Sequence, residues 1–282
     1  MLRPSPMAHR LFALFAALAL LAGCGRDPSP PAADPAGAAS ARPGDAAIAE
    51  PAAPVALQDV IETRPDYIVG ISYPKVAANY PRLARALHDY AEAARAELMR
   101  AVAGLGGDKP AAPYDLSLQF TGLVETPRVV AVAADGSSYT GGAHGNPLVE
   151  RFVWLPQHQQ MLAAEQLIPD AANWKPVSDY VREQLATRLS QQLDEDGLEA
   201  DERAQALRSG SRMIDDGTAP EATNFARFEP VMNADGSIRA LRFVFPPYQV
   251  APYSEGTRSV DVPARVLLPL VAPEYKALFR AG

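Results

Sequence analysis

Cysteine is almost absent from the sequence, since Cys24 is the only one in 282 residues. A single thiol excludes disulfides within the chain and metal sites built from several thiolates. Histidine is scarce as well, because only His88, His144 and His158 follow the first 23 residues, and their spacing matches no zinc signature. The fold must therefore be held by its hydrophobic core, and the roughly 225 residues beyond residue 56 suffice for one or two domains.

Recognisable catalytic motifs are also missing. The sequence contains no Gly-x-Ser-x-Gly elbow, no phosphate-binding loop and no His-Glu-x-x-His motif. Acidic residues outnumber basic ones, 33 to 26, and this balance argues against nucleic acid as a partner. We therefore expect a binding protein and not an enzyme, with no metal and no cofactor. The alternative is a hydrolase or deacetylase-type enzyme with His144 as general base, because catalytic partners can meet in space without a sequence signature.

Residues 1–23 have the features of a secretory signal. Arg3 and Arg10 give a basic start, and residues 11–22 form an apolar run that is shorter than a membrane span of about 20 residues. The following Leu21-Ala22-Gly23-Cys24 resembles the lipobox of bacterial lipoproteins, whose cysteine becomes acylated. We predict lipidation at Cys24 and attachment to the membrane through that anchor. Because Gly25 and Arg26, and no aspartate, directly follow Cys24, we expect, for a Gram-negative host, an exported protein on the outer membrane, facing the periplasm, with the inner membrane as the alternative.

Residues 24–56 are rich in alanine and proline and contain few large apolar side chains. Such a segment cannot bury enough apolar surface to offset the entropy lost on ordering. We therefore predict a disordered tether of roughly 30 residues between the lipid anchor and the folded part.

The remaining chain predicts an α+β fold, in which two long amphipathic helices pack on an antiparallel, meandering β-sheet. Apolar spacing predicts a first helix with Asn79 as its N-cap and Pro81 in its first turn, and a second over residues 174–193. A further helix is expected over residues 199–213, and a proline-interrupted helix over 264–279. Strands are expected over residues 66–73, 114–124, 127–134, 148–155, 160–162, 224–232, 237–245 and 260–262.

Two unusual loops, residues 138–146 and 246–256, interrupt the strand-rich regions. The residues expected to shape their backbones are Gly141, Gly142, Pro252 and Gly256. The candidate ligand contacts are Tyr139, His144, Asn146, Tyr248 and Tyr253. We favour backbone geometry over ligand contact as the reason for the glycines. We also expect the loops to meet, with the glycine pair against the second loop and His144 near a tyrosine, as a brace held by a buried hydrogen bond.

Both loops belong to motifs that carry a family resemblance. The first reads Tyr-Thr-Gly-Gly-Ala-His-Gly-Asn over residues 139–146, and the second reads Phe-Val-Phe-Pro-Pro-Tyr-Gln-Val-Ala-Pro-Tyr over residues 243–253. As a pair they resemble the RsiV-like extracellular domain, here over residues 136–282, which occurs in lysozyme-sensing anti-sigma factors and peptidoglycan deacetylases. Residues 57–135 resemble the PdaC-type module that usually precedes that domain. The resemblance implies a cell-envelope domain outside the cytoplasm with both parts packed as one body.

The sequence departs from both kinds of relative. The anti-sigma factors have a sigma-binding segment and a membrane span, and the deacetylases have a separate catalytic domain, none of which is evident here. The resemblance therefore implies a non-enzymatic lipoprotein domain that binds an envelope ligand, either the glycan of peptidoglycan or a lysozyme-like protein. An envelope assembly subunit that uses the acidic helix end near Asp194 is a further alternative. The patterns specify no oligomeric state.

Overall fold

The computed structural model of the protein describes residues 55–107 and 110–281. The predicted signal peptide, Cys24 and nearly all of the predicted tether lie outside those residues. No helix within the described part is long and apolar enough to cross a membrane.

Six strands form the first sheet, in the order β1-β2-β3-β4-β5-β6. They are β1 Val60–Thr63, β2 Tyr67–Ser72, β3 Tyr114–Glu125, β4 Val130–Tyr139, β5 Asn146–Leu155 and β6 Gln160–Met161. Neighbouring strands are antiparallel except for β2 and β3, which run parallel. The parallel pair arises because the chain crosses over between these strands through a long helix, α1, at Pro81–Ala103.

Helix α1 covers one face of the first sheet. Its buried stripe includes Leu83, Leu87 and Leu98, and these side chains form one hydrophobic cluster with Leu118 and Phe120 of β3. The predicted N-cap at Asn79 is wrong, because Tyr80 occupies that position and makes no side-chain capping bond. The helix instead begins on proline, whose fixed φ suits the first helical position.

Three strands form the second sheet, β7 Phe228–Met232, β8 Ile238–Phe245 and β9 Arg258–Pro263, all antiparallel. Between the two sheets the chain forms a short turn of helix, α2 Ala164–Leu167, and two long helices, α3 Trp174–Glu195 and α4 Ala200–Gly217. Trp174 of α3 stacks on Phe225, with ring centroids 5.3 Å apart, and Phe225 in turn meets Phe243 of β8 edge-on. These rings form the centre of a second hydrophobic cluster.

The α+β class and the long helices are confirmed, and the differences have local causes. The strands divide between two sheets instead of one, and β4 continues to Tyr139 because Ser137 and Ser138 pair with the start of β5. The predicted helix over residues 264–279 reduces to α5 Ala264–Leu267 and a 3-10 turn at Pro273–Leu278. Pro269 and Pro273 lack the N–H that a continuous helix needs. The first sheet spans both proposed modules, and the described residues form one compact unit.

Candidate functional site

The junction of the two sheets brings the two unusual loops together. The first loop, residues 140–145, connects β4 to β5, and the second, residues 246–257, connects β8 to β9. Strand β7 pairs with β8 and packs against β5. The loop that enters β5 and the loop that leaves β8 therefore meet on one side of the junction.

An ion-pair cluster, here called the sheet clamp, fixes this junction. Arg151 of β5 donates from Nε to Glu229 of β7 at 2.8 Å and from Nη1 to Asp135 at 3.0 Å. The side chains of Arg151 and Glu229 are only 9% and 14% exposed. Arg227 adds a bond from Nε to the Val149 carbonyl at 2.7 Å. Charge-assisted bonds in partly desolvated surroundings hold geometry well, so the sheet clamp sets the relative position of the two loops.

Three rings form an aromatic cluster where the loops meet: His144, Tyr248 and Tyr253. His144 stacks on Tyr253, with centroids 4.0 Å apart and planes 16° from parallel. The Tyr248 hydroxyl lies 2.9 Å from His144 Nε2, and the two tyrosine rings are 5.6 Å apart. The prediction that His144 lies near a tyrosine is confirmed for both tyrosines.

The hydrogen bonds of His144 determine its tautomer. Nδ1 lies 3.1 Å from the Gly145 carbonyl oxygen, which can only accept, so Nδ1 carries the proton. In neutral imidazole Nε2 is then the acceptor, and the Tyr248 hydroxyl donates to it. Both ring nitrogens therefore have partners within the loops.

The aromatic cluster lies at the surface. Tyr248 is 55% exposed, and its hydrogen bond with His144 is also exposed. The expected buried hydrogen bond is therefore wrong: the imidazole and the phenol meet in solvent. Tyr248 also has a φ of 74°, a left-handed conformation that is unfavourable for a bulky side chain. Strain of this kind in an exposed aromatic residue is typical of functional sites.

The other two candidate contacts lie apart from the aromatic cluster. Tyr139 ends β4 and donates from its hydroxyl to the Gly142 carbonyl at 3.2 Å. Asn146 begins β5 opposite Ser138 and is exposed. In the described part of the chain, neither side chain makes a hydrogen bond or ring contact to the aromatic cluster.

The glycines act through backbone conformation. Gly141 and Gly142 both have a φ of 99°, which other residues adopt only with strain. A Cβ at Gly142 would contact no atom within 4 Å, and one at Gly141 would meet only the Tyr114 ring at 4.0 Å. A side chain at either glycine would thus meet no atom of the second loop, and the packing of the glycine backbone against that loop stays a prediction. In the second loop, Pro252 precedes a 3-10 turn that ends at Gly256, whose φ is 66°.

Sequence patterns did not identify the ion pairs of the sheet clamp. A signal for Arg151 existed, because a charged residue here shares one face of β5 with the buried residues Val149 and Val153. Its partner on β7 has no comparable signal, since the pairing depends on how the two sheets meet. Among residues 55–107 and 110–281, no group of three or more His, Cys, Asp or Glu residues could hold a metal ion.

These features define an α+β protein with an exposed aromatic cluster at the junction of two sheets. Residues 167–265 match the family described as "Protein of unknown function (DUF3298)", so a DUF3298 domain covers α3, α4 and the second sheet. No curated protein matches the chain.

Two solved structures align with most of this chain. A DUF3298 family protein from Pseudomonas aeruginosa PAO1 shares 17% identity, with a TM-score of 0.49 over 80% of this chain and 94% of that one. A DUF3298 family member from Bacteroides fragilis NCTC 9343 shares 14% identity, with a TM-score of 0.42 over 77% of this chain and 94% of that one. The alignments cover nearly the full length of both relatives.

Proposed function

We propose that the protein is a non-enzymatic cell-envelope lipoprotein that binds the glycan of peptidoglycan through its aromatic cluster. The observation that carries the proposal is Tyr248, a bulky residue held at a φ of 74° with 55% of its surface exposed. Its ring is positioned by His144 and Tyr253 but not covered by them. A fixed and open aromatic face is the element that a sugar ring requires, because pyranose C–H groups pack on the negative face of the ring.

The chemistry of the aromatic cluster favours a neutral glycan over a protein ligand. None of its three side chains is a carboxylate, and the nearby Glu255 is paired with Arg258. A stable protein interface buries about 800 Å² on each partner, whereas three neighbouring rings match the width of a sugar chain. A lysozyme-like protein is the alternative ligand, since exposed tyrosines are also common at protein hot spots.

The partners of His144 support binding over catalysis. A general base needs a nitrogen free to take a proton from substrate or water. Here Nδ1 is bonded to the Gly145 carbonyl and Nε2 to the Tyr248 hydroxyl. The hydrolase alternative requires that the second bond break first, whereas glycan binding uses the rings as they are placed.

The proposed location follows from the N-terminal sequence. A lipid on Cys24 and a tether to about residue 56 would keep the folded part within reach of the glycan network while it remains attached to a membrane. We place that anchor in the outer membrane, facing the periplasm.

Co-sedimentation of the full chain, in detergent, with purified sacculi tests the proposal. Tyr248→Ala should weaken binding about tenfold, the loss expected for one stacked aromatic contact. His144→Ala should also weaken binding, yet lower the free energy of unfolding by less than about 1 kcal/mol, because its contacts are exposed. Ile61→Ala is the matched control, since Ile61 is exposed on β1, away from both loops.

Two outcomes would contradict the proposal. If Tyr248→Ala sediments with sacculi as the unchanged protein does, the aromatic cluster is not the site. If the protein captures a purified lysozyme and ignores sacculi, the lysozyme-like ligand replaces the glycan.

A further inference from the structure

A groove next to the aromatic cluster, here called the interhelical groove, has a different chemistry. It lies between α3, α4 and the second loop, and the space within it that a water-sized group can occupy is about 40 Å³. Leu185 and Leu189 of α3, Ile214 of α4 and Ala251 of the loop give it an apolar floor. Such a surface accepts small aliphatic groups.

Gly210 allows the two helices to form this floor. A Cβ at Gly210 would lie 2.7 Å from Leu189 Cδ2, closer than packed atoms approach. The absence of a side chain therefore lets α4 lie directly against α3.

The rim of the interhelical groove carries an available positive charge. Arg258 lies there, but it is paired with Glu255 and also donates to Gln192 Oε1 at 3.1 Å. Arg188 donates only to the Ser259 carbonyl at 2.6 Å and is exposed. In the described part of the chain Arg188 has no carboxylate partner. Its guanidinium can therefore pair with a carboxylate of a ligand.

The interhelical groove and the aromatic cluster share one segment of chain. Pro252 lines the groove, and the next residue, Tyr253, is stacked on His144. A ligand that spans both sites needs a sugar ring at one end and, next to it, small aliphatic groups that end in a carboxylate. A sugar substituted with a short peptide of alanine-like residues meets this requirement.

We propose that the interhelical groove binds the peptide carried by a peptide-substituted glycan, with Arg188 contacting a peptide carboxylate. This inference rests on the proposed function, because the sugar is held by the aromatic cluster. The protein then distinguishes peptide-bearing glycan from bare glycan.

Isothermal titration of the full chain in detergent with two matched fragments tests the inference: a peptide-bearing disaccharide of peptidoglycan, and the same bare disaccharide without peptide, with the lactyl carboxyl that carried the peptide capped as an amide so that no carboxylate remains. The peptide-bearing fragment should bind about fivefold more tightly, the gain expected from one exposed ion pair. Added salt should reduce that preference and leave binding of the bare disaccharide unchanged.

Variants assign the preference to Arg188. Arg188→Gln should remove the preference and keep the affinity for the bare disaccharide, while Arg188→Lys should retain most of it. Arg208→Gln is the matched control, because Arg208 is exposed on α4 outside the groove lining, and it should behave as the unchanged protein.

The outcomes separate this inference from the proposed function. If both fragments bind equally, or if Arg188→Gln keeps the preference, the inference is overturned while Tyr248-dependent sugar binding stands. If neither fragment binds, the proposed function and the inference fail together.

Discussion

Replacing Arg151 by methionine should destabilise the protein by about 2–3 kcal/mol. Removing one member of a fully buried ion pair costs about 3–5 kcal/mol, because the other charge stays desolvated and unpaired. Glu229 is 14% exposed and keeps a second contact, to Arg242 Nη1 at 3.5 Å, so the expected loss lies at or below the lower end of that range, at about 2–3 kcal/mol. Methionine preserves most of the aliphatic length, which separates the loss of charge from the loss of packing.

Urea unfolding and thermal melting measure this effect. For a folded part of this size, each kcal/mol shifts Tm by about 2–4 °C, so Arg151→Met should lower Tm by roughly 4–12 °C. Arg203→Met is the matched control: Arg203 forms an equally short pair with Asp194, at 2.6 Å, but the two side chains are 32% and 63% exposed. The free energy of unfolding of that variant should fall by less than about 1 kcal/mol. Equal losses in the two variants would refute the role of burial in the sheet clamp.

Three further outcomes are expected. Labelled palmitate should be incorporated into the unchanged protein and not into Cys24→Ser; absence of label from the former would end the lipoprotein hypothesis. Burial, and secondarily nearby acids, raises the pKa of Tyr73 and of Tyr90 to about 12, so absorbance titration should show two of the ten tyrosines ionising late. Since the folded-state pKa of these two tyrosines is raised, their contribution to the free energy of unfolding is present below about pH 10 and lost as pH rises through about 12. Hydrogen bonds from Ser237 lower the pKa of Asp235 to about 2, so its contribution is present above about pH 4 and lost as pH falls towards about 2. Unfolding curves over that acid range should differ between the unchanged protein and Asp235→Asn, and identical curves would exclude this effect.

Local patterns predicted the helices well because the spacing of apolar residues that defines a helix lies within a short stretch of sequence. The apolar stripe of α1 and that of α3 each repeat at helical spacing, which fixes both the element and the face it buries. The N-cap of α1 was mispredicted because capping depends on backbone angles that Pro81 overrides. The division into two sheets was not predictable either, since strand periodicity identifies strands but not which of them become neighbours.

The candidate site was predictable only where short sequence motifs contain its residues. The motif pair predicted that His144 lies near one tyrosine, and the structure confirms this and adds a contact to a second. Tyr139 belongs to the same motif but faces the glycine turn, because its role depends on how far β4 extends. Arg188 and the interhelical groove had no sequence signal, since the groove exists only once α3, α4 and the second loop are packed.

Stability and site are carried by different parts of the junction, and this separation is the reason to regard the aromatic cluster as functional. The cluster around Trp174 and Phe225, together with the sheet clamp, holds the sheets together with buried groups. The aromatic cluster adds an exposed hydrogen bond and an exposed stack, which contribute little to folding. Tyr248 nevertheless holds a backbone conformation that costs about 1–3 kcal/mol, and burial offsets only part of this cost, since 55% of its surface faces solvent. In a structural brace, contacts within the protein would offset the cost of this backbone conformation. In a binding site, the remaining cost is offset when a ligand covers the ring.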